Sequence, residues 1–412
     1  MPDLLLALAP GECKRTGPAE QRIRRPWTIR GNRGIVKLVN FGTGVGRTTV
    51  RTTPVHDHDP DAADCTGQKG AGMRTDVAHW LTTHTTAARD WPIEAVLKLK
   101  ARSGLRVGVV LPALNEAATV GQIVTAINST WCQNRPGQRH NRLGRRSPGT
   151  FLVDDLLVLD SGSTDATARI ASATGARLVH RDDVLPRIPA VTGKGEALWR
   201  AVAASDAEIL VFCDADLRHF EPAWIPALLG PLLADADVSL VKGYYDRPAP
   251  GGQEQTDPGD SGGRVTELVA RPLLNLFWPQ LAGVVQPLGG EYAARRSLLE
   301  QLSFPVGYGV ELALLIDTHS LLGLPAIAQV DLGRRLHRHQ STRALGRMSA
   351  HIMQAAANRL DPDAFALPPR QSMLQFAREG GDMVATEHDV SSPERPPLAT
   401  VPEYAARAER AS

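Results

Sequence analysis

The 412 residues carry 46 Lys and Arg against 44 Asp and Glu, a formal net charge of +2, and 42% of them are hydrophobic. That length can hold one large domain or two smaller ones with ample core, and the charge balance argues against a nucleic-acid binder and against an acidic tail. The four cysteines (Cys13, Cys65, Cys132, Cys213) form no C-x-x-C pair and no apolar stretch approaches the ~20 residues of a membrane span, so a soluble, cytoplasmic protein is expected.

Residues 4–10 make a brief apolar run, but Asp3 precedes it and no basic segment does, which speaks against a signal peptide. Residues 1–85 are rich in Arg, Thr, Gly, Pro, Asp and His and hold no sustained period of 2 or 3.6, which predicts a disordered leader. Within it, His56-Asp57-His58-Asp59 reads as a solvated loop rather than a metal site. Clear patterning begins at residues 107–111, a buried-strand run closed by Pro112. Residues 115–119 then open a helix whose Val120, Ile123, Val124 and Ile127 fall at i, i+3, i+4 and i+7. Residues 134–147 are heavy in Arg, Gly and Pro without interleaved aromatics, and read as a solvated insertion.

A second strand, 156–159, ends on Asp160, and Ser161-Gly162-Ser163-Thr164-Asp165 caps another helix with Ser163 or Thr164 as N-cap. Residues 177–179 form a third short strand and 195–205 a helix. The apolar run 209–213 follows and stops on Asp214-Ala215-Asp216. This alternation predicts a parallel, doubly wound α/β sheet with right-handed crossovers. Beyond it lie a Gly-rich loop at 251–263, a helix at 265–277 that Pro272 should kink, a helix at 309–321 and a strand at 326–332. The tail from about residue 380 is polar and Pro-rich and is expected to be disordered.

Side chains two apart on a strand project the same way, so Asp214 and Asp216 share a face at a strand end, where open α/β sheets bind ligands. Two such carboxylates repel unless a cation lies between them. A hard divalent ion, Mg²⁺ or Mn²⁺, shared with a diphosphate suits them, although a strand running into a polar turn would look the same. Three further strand-end loops are polar: Pro112-Ala113-Leu114-Asn115-Glu116, Asp160 to Ser163, and Lys194 framed by Gly193 and Gly195 before a helix, where a cation and amides can meet phosphate. Neither G-x-G-x-x-G nor a Walker A spacing is present.

The segments VVLPALNE, VLDSGSTD and FCDAD together resemble the nucleotide-binding half of GT-A glycosyltransferases. GKGEALWR, GGRVTELVARPLL, QPLGGEYAA, GYGVELALLIDT and AIAQVDLG are similar to the glucosyl-3-phosphoglycerate synthases of actinobacteria, over roughly residues 105–355. The resemblance implies a GT-A-like α/β/α sandwich with a Rossmann-like nucleotide-binding half (86–250) and a mixed acceptor half (251–360), followed by a partly disordered tail (361–412). It implies a homodimer without nucleic-acid or membrane partners. The implied reaction moves glucose from UDP-glucose to the 2-hydroxyl of 3-phospho-D-glycerate with retained, α configuration.

Carried over by residue, the resemblance puts Pro112, Ala113, Leu114, Asn115, Glu116, Ser161, Lys194, Asp214 and Ala215 on UDP. Asp216 and His337 become metal ligands. Tyr308, Gly309, Val310 and Glu311 form the sugar segment, with Glu311 accepting glucose hydroxyls. Arg335, Leu336, Arg338 and Gln340 complete the nucleotide-sugar site, Lys194 and Arg335 adding positive charge at the phosphates. Gly263, Arg264, Val265 and Thr266 match the acceptor phosphate loop, a guanidinium and a hydroxyl at a helix start. The chain departs from the family twice, with Ala215 where Ser is common and His339 where Asn helps hold the glycerate. Another donor such as GDP-mannose, an acceptor without phosphate, a lipid phosphate acceptor, or a catalytically silent sugar-nucleotide binder are the rival readings.

Overall fold

The computed structural model describes residues 28–31, 34–37, 73–132, 151–246, 263–334, 341–360, 372–379 and 382–411. Contacts divide the chain into Met1–Lys69 and Gly70–Ser412. In the first unit β1 (Thr28–Gly31) and β2 (Gly34–Lys37) pair antiparallel. The other residues up to 72, including 56–59, and the basic insertion at 134–147 lie outside the described residues.

The second unit runs α1 (Thr75–Thr83), β3 (Thr85–Ala87), α2 (Ile93–Ser103), β4 (Val107–Ala113), α3 (Val120–Trp131), β5 (Asp155–Asp160), α4 (Thr167–Ala173), β6 (Arg177–His180), α5 (Lys194–Ala204), β7 (Ile209–Phe212), α6 (Trp224–Ala234) and β8 (Leu240–Asp246). It continues through α7 (Arg271–Phe277), β9 (Tyr292–Arg295), α8 (Arg296–Leu299), β10 (Phe304–Pro305), α9 (Val310–Leu322), β11 (Ile327–Arg334) and α10 (Thr342–Ala357). The hairpin β12 (Ser372–Glu379) and β13 (Asp382–Asp389), then β14 (Glu394–Arg395) and α11 (Pro402–Ala411), close the chain.

Eight strands form one sheet in the order β3-β11-β8-β9-β7-β4-β5-β6. The pairs are parallel except those of β9, which runs antiparallel to both β7 and β8. Alternation along the strands sorts the core into two layers. Val110, Leu157, Leu210 and Phe212 join α5 and α9 on one face. Val109, Leu111, Val158 and Val211 join α3 and α6 on the other. The result is the expected α/β/α sandwich, and strands from both halves of the chain share its single sheet.

Several expectations are corrected. The fold begins before residue 85: Val77 and Trp80 of α1 are buried, Trp80 Nε1 donates to Ile327 O at 2.7 Å, and β3 pairs with β11. Too short for a visible period, these elements read as leader. The helix after Asn115 starts at Val120, and α4 starts at Thr167. Its first amide donates to Asp165 (2.9 Å), not to Ser163 or Thr164. The helix expected at 265–277 is present, and a wide π-turn at Thr266–Ala270 just before Pro272 interrupts its regular α-geometry. The tail is structured: β14 pairs with β10, and Leu398, Val401 and Tyr404 are buried. Its apolar residues are too widely spaced to signal this on their own.

Candidate active site

The carboxyl ends of β4, β5 and β7 open into a cleft of about 630 Å³. Its wall contains Pro112, Ala113, Leu114, Glu116, Ser161, Lys194, Asp214, Ala215, Asp216, Gly263, Arg264, Val265, Thr266, Tyr308 and Glu311, drawn from separate segments of the chain. Arg335, Leu336, His337, Arg338, His339 and Gln340 lie outside the described residues.

Asn115, Gly309 and Val310 are not in the wall. Asn115 takes a positive φ of 59°, a conformation Asn tolerates better than most side chains. Its amide donates to Ser163 Oγ (3.0 Å) and its Oδ1 accepts from Thr164 N (2.8 Å), so it clamps the β4 loop to the β5 loop. The Ser161 amide donates to Ala113 O (2.9 Å), and the Asp160 carboxylate accepts from Gly162 N and Ser163 N, completing the same scaffold. Val310 is fully buried, and Gly309 packs so closely on His351 and Ala355 that a Cβ would not fit.

The Asp-Ala-Asp turn is held through its backbone, where Ala215 O accepts from Thr119 Oγ1 at 2.6 Å. Ala215 is almost fully buried. Asp214 rests on Gly290, where a Cβ would overlap its carboxylate.

At the centre of the cleft, Lys194 Nζ lies 2.8 Å from Asp214 Oδ1 and 2.7 Å from Glu311 Oε1. Burial works to discharge this ammonium, but Asp214 and then Glu311 outweigh it and hold its pKa well above 10.5. The flanking glycines serve packing rather than phosphate binding. Gly195 N and Glu196 N donate to Val306 O at 2.8 and 3.3 Å, and a Cβ on Gly193 or Gly195 would overlap the Val306 or Pro305 carbonyl. Behind this centre Lys242 of β8 is buried, donates to Gly289 O at 2.6 Å and lies 4.9 Å from the Tyr292 ring centroid. Burial lowers its pKa to about 8 despite the pull of Glu311.

Also in the wall, Gly263, Arg264, Val265 and Thr266 begin the helical segment that leads to α7. Thr266 is buried and Arg264 Nη1 donates to Thr342 Oγ1 of α10 at 3.4 Å. The exposed Tyr308 ring stacks on His351 of α10, with centroids 6.0 Å apart and planes 19° apart. Lys242, Gly290, Val306, His351 and Ser391 were not foreseen. A lone cation inside an apolar strand was a signal for Lys242. His351 and Ser391 reach the cleft from α10 and the tail, and no local pattern announces them.

This arrangement offers, in one cleft, a cation fixed between the Asp214 and Glu311 carboxylates, the Arg264 guanidinium, the Thr266 hydroxyl and the Tyr308 phenol. Among the described residues no group of three or more metal-ligating side chains assembles. The glycosyl transferase family 2 profile matches residues 108–289. Glucosyl-3-phosphoglycerate synthase of Mycolicibacterium smegmatis is 44% identical over 322 residues, 78% of this chain and 98% of that protein. The crystal structure of mannosyl-3-phosphoglycerate synthase from Rubrobacter xylanophilus superposes with a TM-score of 0.68 at 36% identity, covering 79% of this chain and 98% of that one. The structure of glucosyl-3-phosphoglycerate synthase from Mycobacterium tuberculosis with Mn²⁺, UDP and glucosyl-3-phosphoglycerate gives 0.64 at 42% identity, covering 76% and 98%. With identity of this order along nearly the whole of its relatives, the chain belongs to the glucosyl-3-phosphoglycerate synthase family.

Proposed function

We propose that this protein transfers glucose from UDP-glucose to the 2-hydroxyl of 3-phospho-D-glycerate with retention, residues 86–250 binding the donor and 251–360 the acceptor. The observation that carries the reading is the meeting, in one cleft, of Lys194 at the start of α5 and Asp214 and Asp216 just beyond β7 with Arg264 and Thr266. The M. tuberculosis relative is seen in complex with Mn²⁺, UDP and glucosyl-3-phosphoglycerate, the two products of this reaction together.

In the reaction the bond from the anomeric carbon to the diphosphate oxygen breaks and a bond to the acceptor oxygen forms on the same face. The acceptor proton passes to the departing phosphate. Lys194 places a permanent positive charge beside that phosphate, and Glu311 accepts hydrogen bonds from glucose hydroxyls. Arg264 and Thr266 orient the acceptor phosphate, with His339 at its glycerate end and Arg335 adding charge at the donor. Asp216 is half-buried at a strand end in the cleft wall, and its hard oxygens suit Mg²⁺ or Mn²⁺, which it would hold with His337. Such a cation supplies Lewis-acid neutralisation of the leaving diphosphate.

A second donor reading has one specific support, the mannosyl-transferring relative of similar fold. Paired assays with UDP-glucose and GDP-mannose, reading nucleoside diphosphate release with and without 3-phosphoglycerate, separate the two. Release that ignores the acceptor would count against both. We further propose a homodimer, for which Leu268, Pro272 and Leu276 supply an exposed apolar ridge at i, i+4 and i+8. A reducing cytoplasm is the proposed compartment, in keeping with the free Cys132 and Cys213. No described helix is long and apolar enough to cross a membrane.

A further inference from the structure

We infer that the C-terminal segment around β14 is a working part of the donor site, with Arg395 a positioning residue for Lys194. The inference rests on the proposed role of Lys194 at the donor diphosphate. Lys194 owes its place to Val306, whose carbonyl accepts from Gly195 N and Glu196 N at the start of α5. Val306 is itself held from the other side, its amide donating to Pro393 O at 2.9 Å. The β10–β14 ladder continues that contact, with Phe304 opposite Arg395 and Pro305 opposite Glu394. The tail, Val306 and the first turn of α5 are thus joined by consecutive backbone hydrogen bonds.

The side chains repeat the connection. Arg395 Nε lies 2.5 Å from Glu196 Oε2, and its Nη2 donates to Glu196 Oε1 (2.9 Å) and to Pro189 O (2.7 Å). Glu196, two residues beyond Lys194, is fully buried and also paired with Arg200 at 2.6 Å. Trp199 Nε1 donates to Pro396 O at 2.9 Å, and the Arg395 guanidinium lies 5.5 Å from the Trp199 ring centroid. A buried carboxylate between two guanidiniums is a costly way to gain stability, since apolar packing of the same volume serves as well or better. Its distinct contribution is geometric: a two-pronged fork fixes both position and orientation. The strap is anchored beyond Arg395 by the buried Leu398, Val401 and Tyr404, the last bonded to Glu300 at 2.5 Å. A pull on Arg395 is therefore transmitted to α5 rather than lost in a loose end.

The test uses the full chain carrying Arg395→Gln or Arg395→Lys, read by steady-state kinetics in both substrates, calorimetric UDP binding and thermal melting. Arg395→Gln is expected to lower kcat/KM for the donor about tenfold to a hundredfold and to weaken UDP binding, while KM for the acceptor stays unchanged. Arg395→Lys keeps the charge but loses the fork, and falls between the two. A soluble, cooperatively melting Arg395→Gln protein with wild-type donor parameters overturns the inference, as does an equal loss toward both substrates. Should Arg395→Gln fail to fold, Arg395→Lys is read in its place, and an unchanged donor KM there overturns the inference. Wild-type protein that neither binds UDP nor turns over UDP-glucose overturns the functional reading and this inference with it.

Discussion

The Lys194 ammonium at the start of α5 and the Glu311 carboxylate at the start of α9 meet at 2.7 Å across the floor of the cleft, the glutamate side chain only 5% exposed. A carboxylate so far out of water needs a cation, and Lys194 also serves Asp214. The lysine therefore holds two segments in register, and under the proposed reaction it also faces the donor phosphate.

Removing the lysine leaves two carboxylates with their shared cation gone. Lys194→Met is expected to abolish turnover and to lower stability by about 3–5 kcal/mol, the usual cost of orphaning a buried charge. Because the folded pKa of Lys194 is raised, its stabilising contribution is complete below about pH 10.4 and is lost only as pH climbs through the folded value. Urea unfolding of the two proteins at neutral pH checks this, and equal midpoints would mean the pairings carry no net weight.

Asp216→Asn should reduce turnover at least a hundredfold in Mn²⁺ or Mg²⁺, because an amide is a poor substitute for an anionic ligand to a hard cation. The melting temperature should hold, since the residue lies beyond the end of β7 and is only half-buried. Full activity of the variant in EDTA would remove the metal from the account.

Lys242 gives a pH signature of opposite sign. Its folded pKa of about 8 lies below the unfolded value near 10.4, so below pH 8 both states carry the proton and the burial penalty stands in full. Between about pH 8 and 10.4 the unfolded chain binds the extra proton and stability rises with pH. The stability of Lys242→Met relative to wild type should therefore fall by up to about 3 kcal/mol between pH 7 and 10, measured by denaturant unfolding at each pH. A constant difference would mean that the buried lysine titrates normally.

Under the proposed acceptor role, Arg264→Ala removes a charge-assisted contact to the acceptor phosphate worth roughly 1.5–3 kcal/mol, and should cost about 10- to 150-fold in acceptor kcat/KM. KM for UDP-glucose should barely move, since under the proposed reaction the donor phosphates are met by Lys194 at the start of α5 and not by Arg264. An unchanged acceptor dependence would place the phosphate site elsewhere.

The strand ends were legible because burial and polarity change abruptly there. Ile209 to Cys213 are fully or almost fully buried, whereas Asp214 and Asp216 are only half-buried. Lys194 stood out for its glycines, though those glycines answer to the Val306 and Pro305 carbonyls rather than to phosphate. Asn115 was legible as a polar strand-end residue, but its clamp onto Ser163 and Thr164 was not, since those partners lie far from it in the chain. The β9 reversal, His351, Ser391 and Arg395 were not legible, since each depends on pairing between segments far apart in the chain. Local periodicity carries no record of such pairings.

The most direct measurement incubates the purified protein with UDP-glucose, 3-phospho-D-glycerate and Mn²⁺ and follows UDP release together with the glycosidic product by NMR. The account predicts acceptor-dependent UDP release and one α-linked glucosyl-3-phosphoglycerate, with GDP-mannose a far poorer donor. Release independent of the acceptor, a β-linked product, or a preference for GDP-mannose would contradict it.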